Sequence, residues 1–349
     1  MNKRNLEKLL ACIDSESNLL IKDRQKLYKD KFKSCNYKLY KYYSLDNEYT
    51  LTNIGDDILY LNFPSQFNDP FDCYLGYSLD DCLKDVSLTL ILEDLFEMQD
   101  TTLECFTKFI LGEDLNKFEI KFLNQKIEEY AIGFEEKNIV NWTKKPMTDK
   151  FKLICCLLHD DWQNMSEAYL NCARKMVDLQ ENVRKAIDEN FLVTCFSERY
   201  DNELMWAHYA NKHTGVCVEY DFSLIGDDEE LNYLALLTFP VLYSKVRPKI
   251  PISIERKAPL HYMVREGKYT TTDKYKFLLT KSSSWRYERE WRLILPECET
   301  HLKKMPIISK IFLGVNISEQ AENKIRAIAK EKGVPIQKMR LDFKDYKLL

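Results

Sequence analysis

Three stretches of this 349-residue chain concentrate carboxylates, cations and aromatic rings that folding alone does not require. The last of them, KSSSWRYEREWRLIL from Lys281 to Leu295, sets Glu288 and Glu290 two apart where an apolar strand begins. At period two both carboxylates face the same side, and like charges that close raise the proton affinity of one of them. Such a pair suits acid–base work or stabilisation of a developing cation. The plainer role is an edge-solubilising pattern, or ion pairing with Arg286, Arg289 and Arg292. The middle stretch, Cys195 to Asp221, places Trp206, His208 and Tyr209 on a short helix and Ser197 with Glu198 at a strand end. His208 is a general base by residue type, although a histidine beside Trp and Tyr is more often a hydrogen-bonded core residue. Ser197 has no GxSxG setting, and Cys195 lies mid-strand, where a thiol is buried and inert. The first stretch joins LYKYYS to FNDPFDC, with Asp69 and Asp72 flanking Pro70 in a turn. Asx side chains in such turns mostly satisfy backbone N–H groups.

Other chemistries are excluded cheaply. The nine glycines are spread too widely for GxGxxG or GxxxxGK, so a dinucleotide fingerprint and a phosphate loop are missing. None of the five histidines opens an HExxH or HxE motif. Cys155 and His159 stand four apart in CCLLHD, half a metal site at best, and no metal is expected. Eleven cysteines, an odd number with no CxxC, read as free thiols rather than a disulfide framework. No apolar run approaches the roughly 20 residues that span a bilayer, and MNKRNLEKLL is too short and too interrupted for a secretory leader. A cytoplasmic chain without membrane association is expected. The net charge of −4 gives no global pull on nucleic acid.

The elements that must position these residues follow from hydrophobic period. Leu6, Leu9, Leu10 and Ile13 predict a helical extension over residues 1–36. LYKYYS and ILYLNF read as strands around a short helix closed by Gly55. Leucine-rich helical patterns run from 80 to 190, through Leu88–Phe96, Phe118–Tyr130, Phe151–Leu158 and Ser166–Asn190, and predict a helical insertion. Strand patterns return with LVTCFS, GVCVEYDF, FPVLYS and EWRLIL, and residues 271–284 read as a helix between the last two. In GVCVEYDF, Val216, Val218, Tyr220 and Phe222 share one face, and Cys217, Glu219 and Asp221 the other. The C-terminus reads as a βαβ unit, with Asn316 as N-cap partnered by Glu319 and Gly333 as the stop. The fold expected is α+β: a mixed-sheet core from 37–79 and 191–349, interrupted by the helices. Two independent domains are the alternative.

Taken in order, LYKYYS, LNFPSQFNDPFDC, VTCFSE with MWAHYA and GVCVEYD, and WRYEREWRLI resemble the bacterial domain-of-unknown-function family 2971, over roughly residues 37–75 and 190–315. More distantly, the strand–helix–strand opening, the aromatic middle block and the late glutamate resemble ADP-ribosyltransferases, especially the DNA-modifying toxin branch. That resemblance implies an ADP-ribosyltransferase-like sheet, NAD as the consumed cofactor, and a nucleic-acid or protein acceptor. It also implies transferase or NAD glycohydrolase activity in a toxin or phage-defence effector. The family uses a histidine or arginine on its first strand, where this chain offers Lys41 or Tyr43. Tyr209 or Ser197 matches the middle position and Glu290 the last, with Glu288 beside it as a second catalytic carboxylate. Trp206 and His208 complete the cofactor-binding set. The chemistry fits those types: loss of nicotinamide leaves an oxocarbenium-like ribosyl cation, which a carboxylate stabilises as it develops. The basic segment with Lys245, Arg247, Lys249, Arg256 and Lys257 offers a face for pyrophosphate or nucleic acid, a solvated loop being the default. Glu290→Gln is expected to abolish NAD-dependent activity with the fold intact. The rival reading is a non-catalytic regulatory or ligand-sensing module on the same fold. A cleft joining Tyr43, Tyr209 and Glu290 would favour the enzyme.

Overall fold

A computed structural model of the chain describes residues 29–73, 101–130, 136–158, 181, 184–185, 187–248, 275–296 and 300–349. The contacts divide the chain into two units, one from Met1–Tyr74, Ile187–Pro248 and Tyr269–Leu349, the other from Leu75–Ala186 and Lys249–Lys268. The first unit is α+β. Its strands are β1 (Lys38–Tyr43), β2 (Ile58–Tyr60), β3 (Phe191–Ser197), β4 (Val216–Asp221), β5 (Thr238–Pro240), β6 (Leu242–Ser244), β7 (Thr280–Ser282), β8 (Glu290–Pro296), β9 (Leu302–Lys304), β10 (Ile308–Leu313) and β11 (Ile336–Lys338). Seven form one mixed sheet in the order β11-β10-β4-β1-β3-β8-β5, parallel only between β10 and β11. The first strand and the strand opened by Glu290 thus share a sheet, with β3 between them.

The described helices are α1 (Tyr49–Gly55), α2 (Thr101–Leu111), α3 (Lys117–Tyr130), α4 (Ile139–Trp142), α5 (Met147–Leu158), α6 (Glu203–Tyr209), α7 (Glu229–Leu236) and α8 (Glu319–Lys332). The second unit has its own apolar core. Phe106, Phe109 and Ile110 of α2 meet Leu123 and Ile127 of α3 and Phe151 and Ile154 of α5 there. The expected helices over Leu88–Phe96, and most of Ser166–Asn190, lie outside the described residues, as does His159.

Alternation decides what each face of the main sheet buries. Val216, Val218 and Tyr220 of β4 join Leu39, Phe196, Trp291, Leu293 and Ile311 in one core, to which α8 adds Ile325 and Ala329. Cys217 lies on the other face, in a smaller cluster with Tyr40, Tyr42, Trp206 and Phe312. The predicted extension is not an appendage at its described end. Phe32 is wholly buried and stacks on Phe222 at 4.1 Å and Trp291 at 5.1 Å. Beside it, Lys31 donates to the Ala235 and Leu236 carbonyls at the end of α7.

Several elements differ from the sequence expectation for local reasons. β2 does not join β1 but pairs with β9 in a two-stranded sheet. FPVLYS breaks at Val241 into β5 and β6, and β6 runs parallel to β7. Residues 275–288 are not one helix: helical backbone at 275–276 gives way to a turn at 277–279, then come β7 and the 3₁₀ turn Ser283–Glu288. Ser282 accepts a hydrogen bond from the Ser284 N–H, the local competition that draws serine out of helix interiors. At α8 the N-cap is Ser318, accepting from Ala321 N–H, while the Asn316 amide donates to the Lys212 carbonyl. Gly333 ends α8 at φ 67°.

Two features of the backbone shape the site. β1 pairs with β4 at six successive positions but with β3 only at Tyr40↔Ser197. Further along, Asn62 bridges Val193 instead, so β1 and β3 part. The other feature is the reversal after α6, where Asn211, Lys212 and His213 all take positive φ (42°, 54° and 68°). Each costs about 1–2 kcal/mol for an L-residue, and the chain holds them with Lys212 N–H on Ala207 O and His213 N–H on Trp206 O. Gly215 follows because a Cβ there would stand 2.1 Å from the Tyr43 carbonyl. The tight return anchors α6 over the sheet.

Candidate active site

The parting of β1 and β3 leaves a cavity of about 260 Å³. Its lining includes Tyr40, Lys41 and Tyr42 of β1, Asn62 to Asp72 in part, Cys195 and Ser197 of β3, Met205 and Tyr209 of α6, Lys281, Glu288 and Glu290. Cross-strand register explains the gathering: Ser197 faces Glu290, Cys195 faces Arg292, and Tyr40 faces Ser197, so all stand on one face.

A buried ion network floors the cavity. Lys281 Nζ lies 2.6 Å from Glu288 Oε2, 2.8 Å from Glu290 Oε2 and 3.5 Å from Asp72 Oδ2. Arg292 donates Nε to Glu290 Oε1 and Nη2 to Asp72 Oδ2, each at 2.6 Å, and Nη1 to the Leu278 carbonyl. Three carboxylates therefore meet two cations, one negative charge in excess. That excess falls on Glu288, whose acidity burial and the neighbouring Glu290 weaken to a pKa of about 7. Burial also opposes ionisation of Glu290, but Arg292 and Lys281 overcome it and hold its carboxyl well below the usual range. Burial pulls against the Lys281 ammonium, which Glu290, Glu288 and Asp72 together keep charged.

Above this floor the Tyr209 hydroxyl donates to Glu288 Oε1 at 2.5 Å and accepts from the Asn68 amide at 3.0 Å. Ser197 Oγ donates to the Glu288 carbonyl at 2.6 Å, and Tyr243 OH accepts the Glu290 N–H. Glu288 and Glu290 converge for a different reason than strand alternation. Glu288 ends the 3₁₀ turn, Arg289 takes φ 45°, and only Glu290 starts β8. The left-handed residue between them folds both carboxylates onto Lys281.

Among the residues singled out from sequence, Glu288, Glu290, Tyr209, Ser197 and Lys41 line the cavity. Lys41 Nζ donates to Thr194 Oγ1 at 2.8 Å and to the Cys195 carbonyl at 3.2 Å, and burial lowers its pKa. Tyr43 is not brought to the site. Period two turns it to the other face, where its hydroxyl meets Tyr220 OH at 2.8 Å. Trp206 is wholly buried, its indole N–H on the Tyr200 carbonyl, edge-on to Tyr42. His208 stands exposed at the end of α6, away from the lining. The cleft that forms thus joins Tyr209 with both glutamates, but not with Tyr43. Cys195 is held protonated, its pKa raised well above normal by burial and by Glu290. Of the basic segment, only Lys245 and Arg247 lie among the described residues, and the Arg247 guanidinium sits over the Phe71 ring at 5.6 Å.

Lys281, Asp72 and Asn68 were not legible as site residues. Asp69 does what Asx turns predict, accepting the Phe71 N–H, but Asp72 spends its carboxylate on Arg292 instead. The only sequence signal for Lys281 is that it opens the third polar block.

Among the described residues no helix is long and apolar enough to cross a membrane. No curated protein and no solved structure matches the chain. Residues 205–293, which carry most of α6, β4, β7 and both glutamates, match the model of a family described as protein of unknown function (DUF2971), which supports assigning the chain to that family.

Proposed function

We propose that the cavity is an NAD-consuming site of ADP-ribosyltransferase-like or NAD glycohydrolase-like type, in which Glu288 with Tyr209 forms the reacting edge. The observation that carries this reading is Glu288 itself: a buried carboxyl near neutrality, tied to a phenol and lining an aromatic-walled cavity. A general base is most effective with a pKa near the working pH. In the reaction, the glycosidic C–N electron pair leaves with nicotinamide and neutralises its pyridinium ring. Water or an acceptor group bonds to the ribosyl carbon, and the proton it sheds passes to Glu288. Glu290, neutralised by Lys281 and Arg292, holds the network in place rather than facing the cation alone. Lys41 shares the Tyr43 face of β1 and spends its Nζ on Thr194 Oγ1 and the Cys195 carbonyl in the gap between β1 and β3. In this reading it steadies the cavity wall from behind rather than facing the substrate. At about 260 Å³ the cavity falls just below the usual range of small-molecule sites, roughly 300–1,000 Å³, and suits one end of a dinucleotide. A role as toxin or defence effector acting on nucleic acid or protein belongs to the same proposal.

The test is incubation with nicotinamide-labelled and adenylate-labelled NAD, alone and with DNA, RNA or lysate. Released nicotinamide supports the reading, and adenylate label on an acceptor selects transfer over hydrolysis. Neither product at any pH from 5 to 9 ends it. One observation favours the second reading, a ligand-sensing module: the carboxylates already have internal cations and need no ligand to balance them. Calorimetric binding of NAD without turnover is the outcome that selects it.

A further inference from the structure

The polar block FNDPFDC does more than turn the chain. Arg292 grips both flanks of Asn68: its guanidinium lies 5.1 Å over the Phe67 ring, and Nη2 bonds the Asp72 carboxylate. Asp69 accepts the Phe71 N–H, and the Asp72 N–H returns to the Asp69 carbonyl. Asn68 is thereby fixed between anchored neighbours while its own side chain is exposed. Its amide makes one contact across the site, donating to Tyr209 OH. A phenol carries one proton and two lone pairs. With one lone pair engaged by a donor, the proton is directed elsewhere, and Glu288 Oε1 receives it.

We propose that Asn68 is a positioning residue for this site: its amide turns the single proton of Tyr209 onto the Glu288 carboxylate. The relay takes one residue from each of the three polar blocks. Glu288 then accepts from Tyr209 on one oxygen and from Lys281 on the other. The groups that act on its proton come from every surrounding element. Tyr209 stands on α6, Lys281 on β7, Glu290 and Arg292 on β8, Tyr243 on β6, Tyr287 in the 3₁₀ turn, and Asp72 with Asn68 in the first block. Of these, Asn68 alone acts through another side chain without charge of its own. Its catalytic consequence rests on the reading of the site given above; its effect on Glu288 does not.

The experiment follows the Glu288 carboxyl by NMR in the unliganded full chain, labelled with carboxyl-¹³C glutamate and assigned with Glu288→Gln. A double-mutant cycle of Asn68→Ala and Tyr209→Phe isolates the coupling. Tyr209→Phe removes a hydrogen bond to a charged acceptor and should weaken Glu288 acidity by about tenfold or more. Asn68→Ala should move the titration in the same direction by less, and should add nothing in the Tyr209→Phe background. Unchanged titration in Asn68→Ala, or an equal shift with and without the Tyr209 hydroxyl, overturns the proposal. Asn68 is exposed, and circular dichroism checks that each variant folds. If NAD is turned over, the pH profile of kcat/KM should shift with the titration. A shifted titration without any NAD chemistry sustains the positioning role and fails the proposed reaction.

Discussion

At the scale of single residues, the carboxylates divide into one that holds the network and one that is free to exchange a proton. Glu290 is buried and bonded to two cations. Removing one member of such a network strands the others, at about 3–5 kcal/mol. Glu290→Gln should therefore lower urea-denaturation stability by about that amount, contrary to an intact-fold expectation; a loss below about 1 kcal/mol would show the pairs to be unimportant. Glu288 behaves oppositely with pH. Its folded pKa of about 7 lies above its ordinary 4.5, so the fold binds this proton more tightly than the unfolded chain. That contribution is full below pH 4.5 and is lost as pH rises through about 7. The Glu290 contribution runs the other way: it is present above the ordinary glutamate range and is lost in strong acid. Denaturation series from pH 4.5 to 8 should show stability falling with pH by at most about 1.4 kcal/mol per unit from one proton. The difference between wild type and Glu288→Gln isolates it. Parallel curves for the two proteins would contradict the raised Glu288.

At the scale of elements, the junction between the 3₁₀ turn and β8 controls the site. Arg289 is exposed and sits at φ 45°, its N–H on the Arg286 carbonyl and its carbonyl accepting from Glu198. Only glycine takes that conformation without cost. Arg289→Gly should hold or gain stability, by up to about 1 kcal/mol. Arg289→Val, branched at Cβ, should lose about 1–3 kcal/mol and pull Glu288 from Lys281. Equal melting temperatures for the two variants would mean the junction is not strained. Helix α6 is likewise secured at its start, where the Asn202 side chain caps Leu204 and Met205 N–H and reaches the Tyr287 carbonyl. Seven residues suffice because both ends are tied.

At the scale of the molecule, the segment before β1 belongs to the main unit. Phe32 has no exposed surface and lies between Phe222 and Trp291. Trp291 is the residue between Glu290 and Arg292, so Phe32 supports the strand that carries the ion network from its opposite face. Phe32→Ala should cost about 3–5 kcal/mol in chemical denaturation. A cost below about 1 kcal/mol would mark the segment as an appendage.

Local chemistry in the sequence determined most strands of the main sheet, their two faces and several of their ends, but not β7, β9 or the break between β5 and β6. The alternation of GVCVEYDF places Val216, Val218 and Tyr220 in one core and Cys217 in another, as its period dictates. The turn around Asp69, the stop at Gly333 and the parallel unit of β10, α8 and β11 are equally local. Period two also set Lys41 and Tyr43 apart from Tyr40 and Tyr42, but not which pair meets the glutamates. That was decided by the sheet, in which β3 lies between β1 and β8 and β1 peels away from β3 after a single pair. The partners of Glu290 show the same division. Arg292 is two residues away and foreseeable, whereas Asp72 reaches the network across most of the chain. Turn and helix signals are written within a few residues because the hydrogen bonds that reward them are made within a few residues. The ion network and the Asn68–Tyr209–Glu288 relay exist only after distant strands pair, since their stability comes from burial and register that no local window contains.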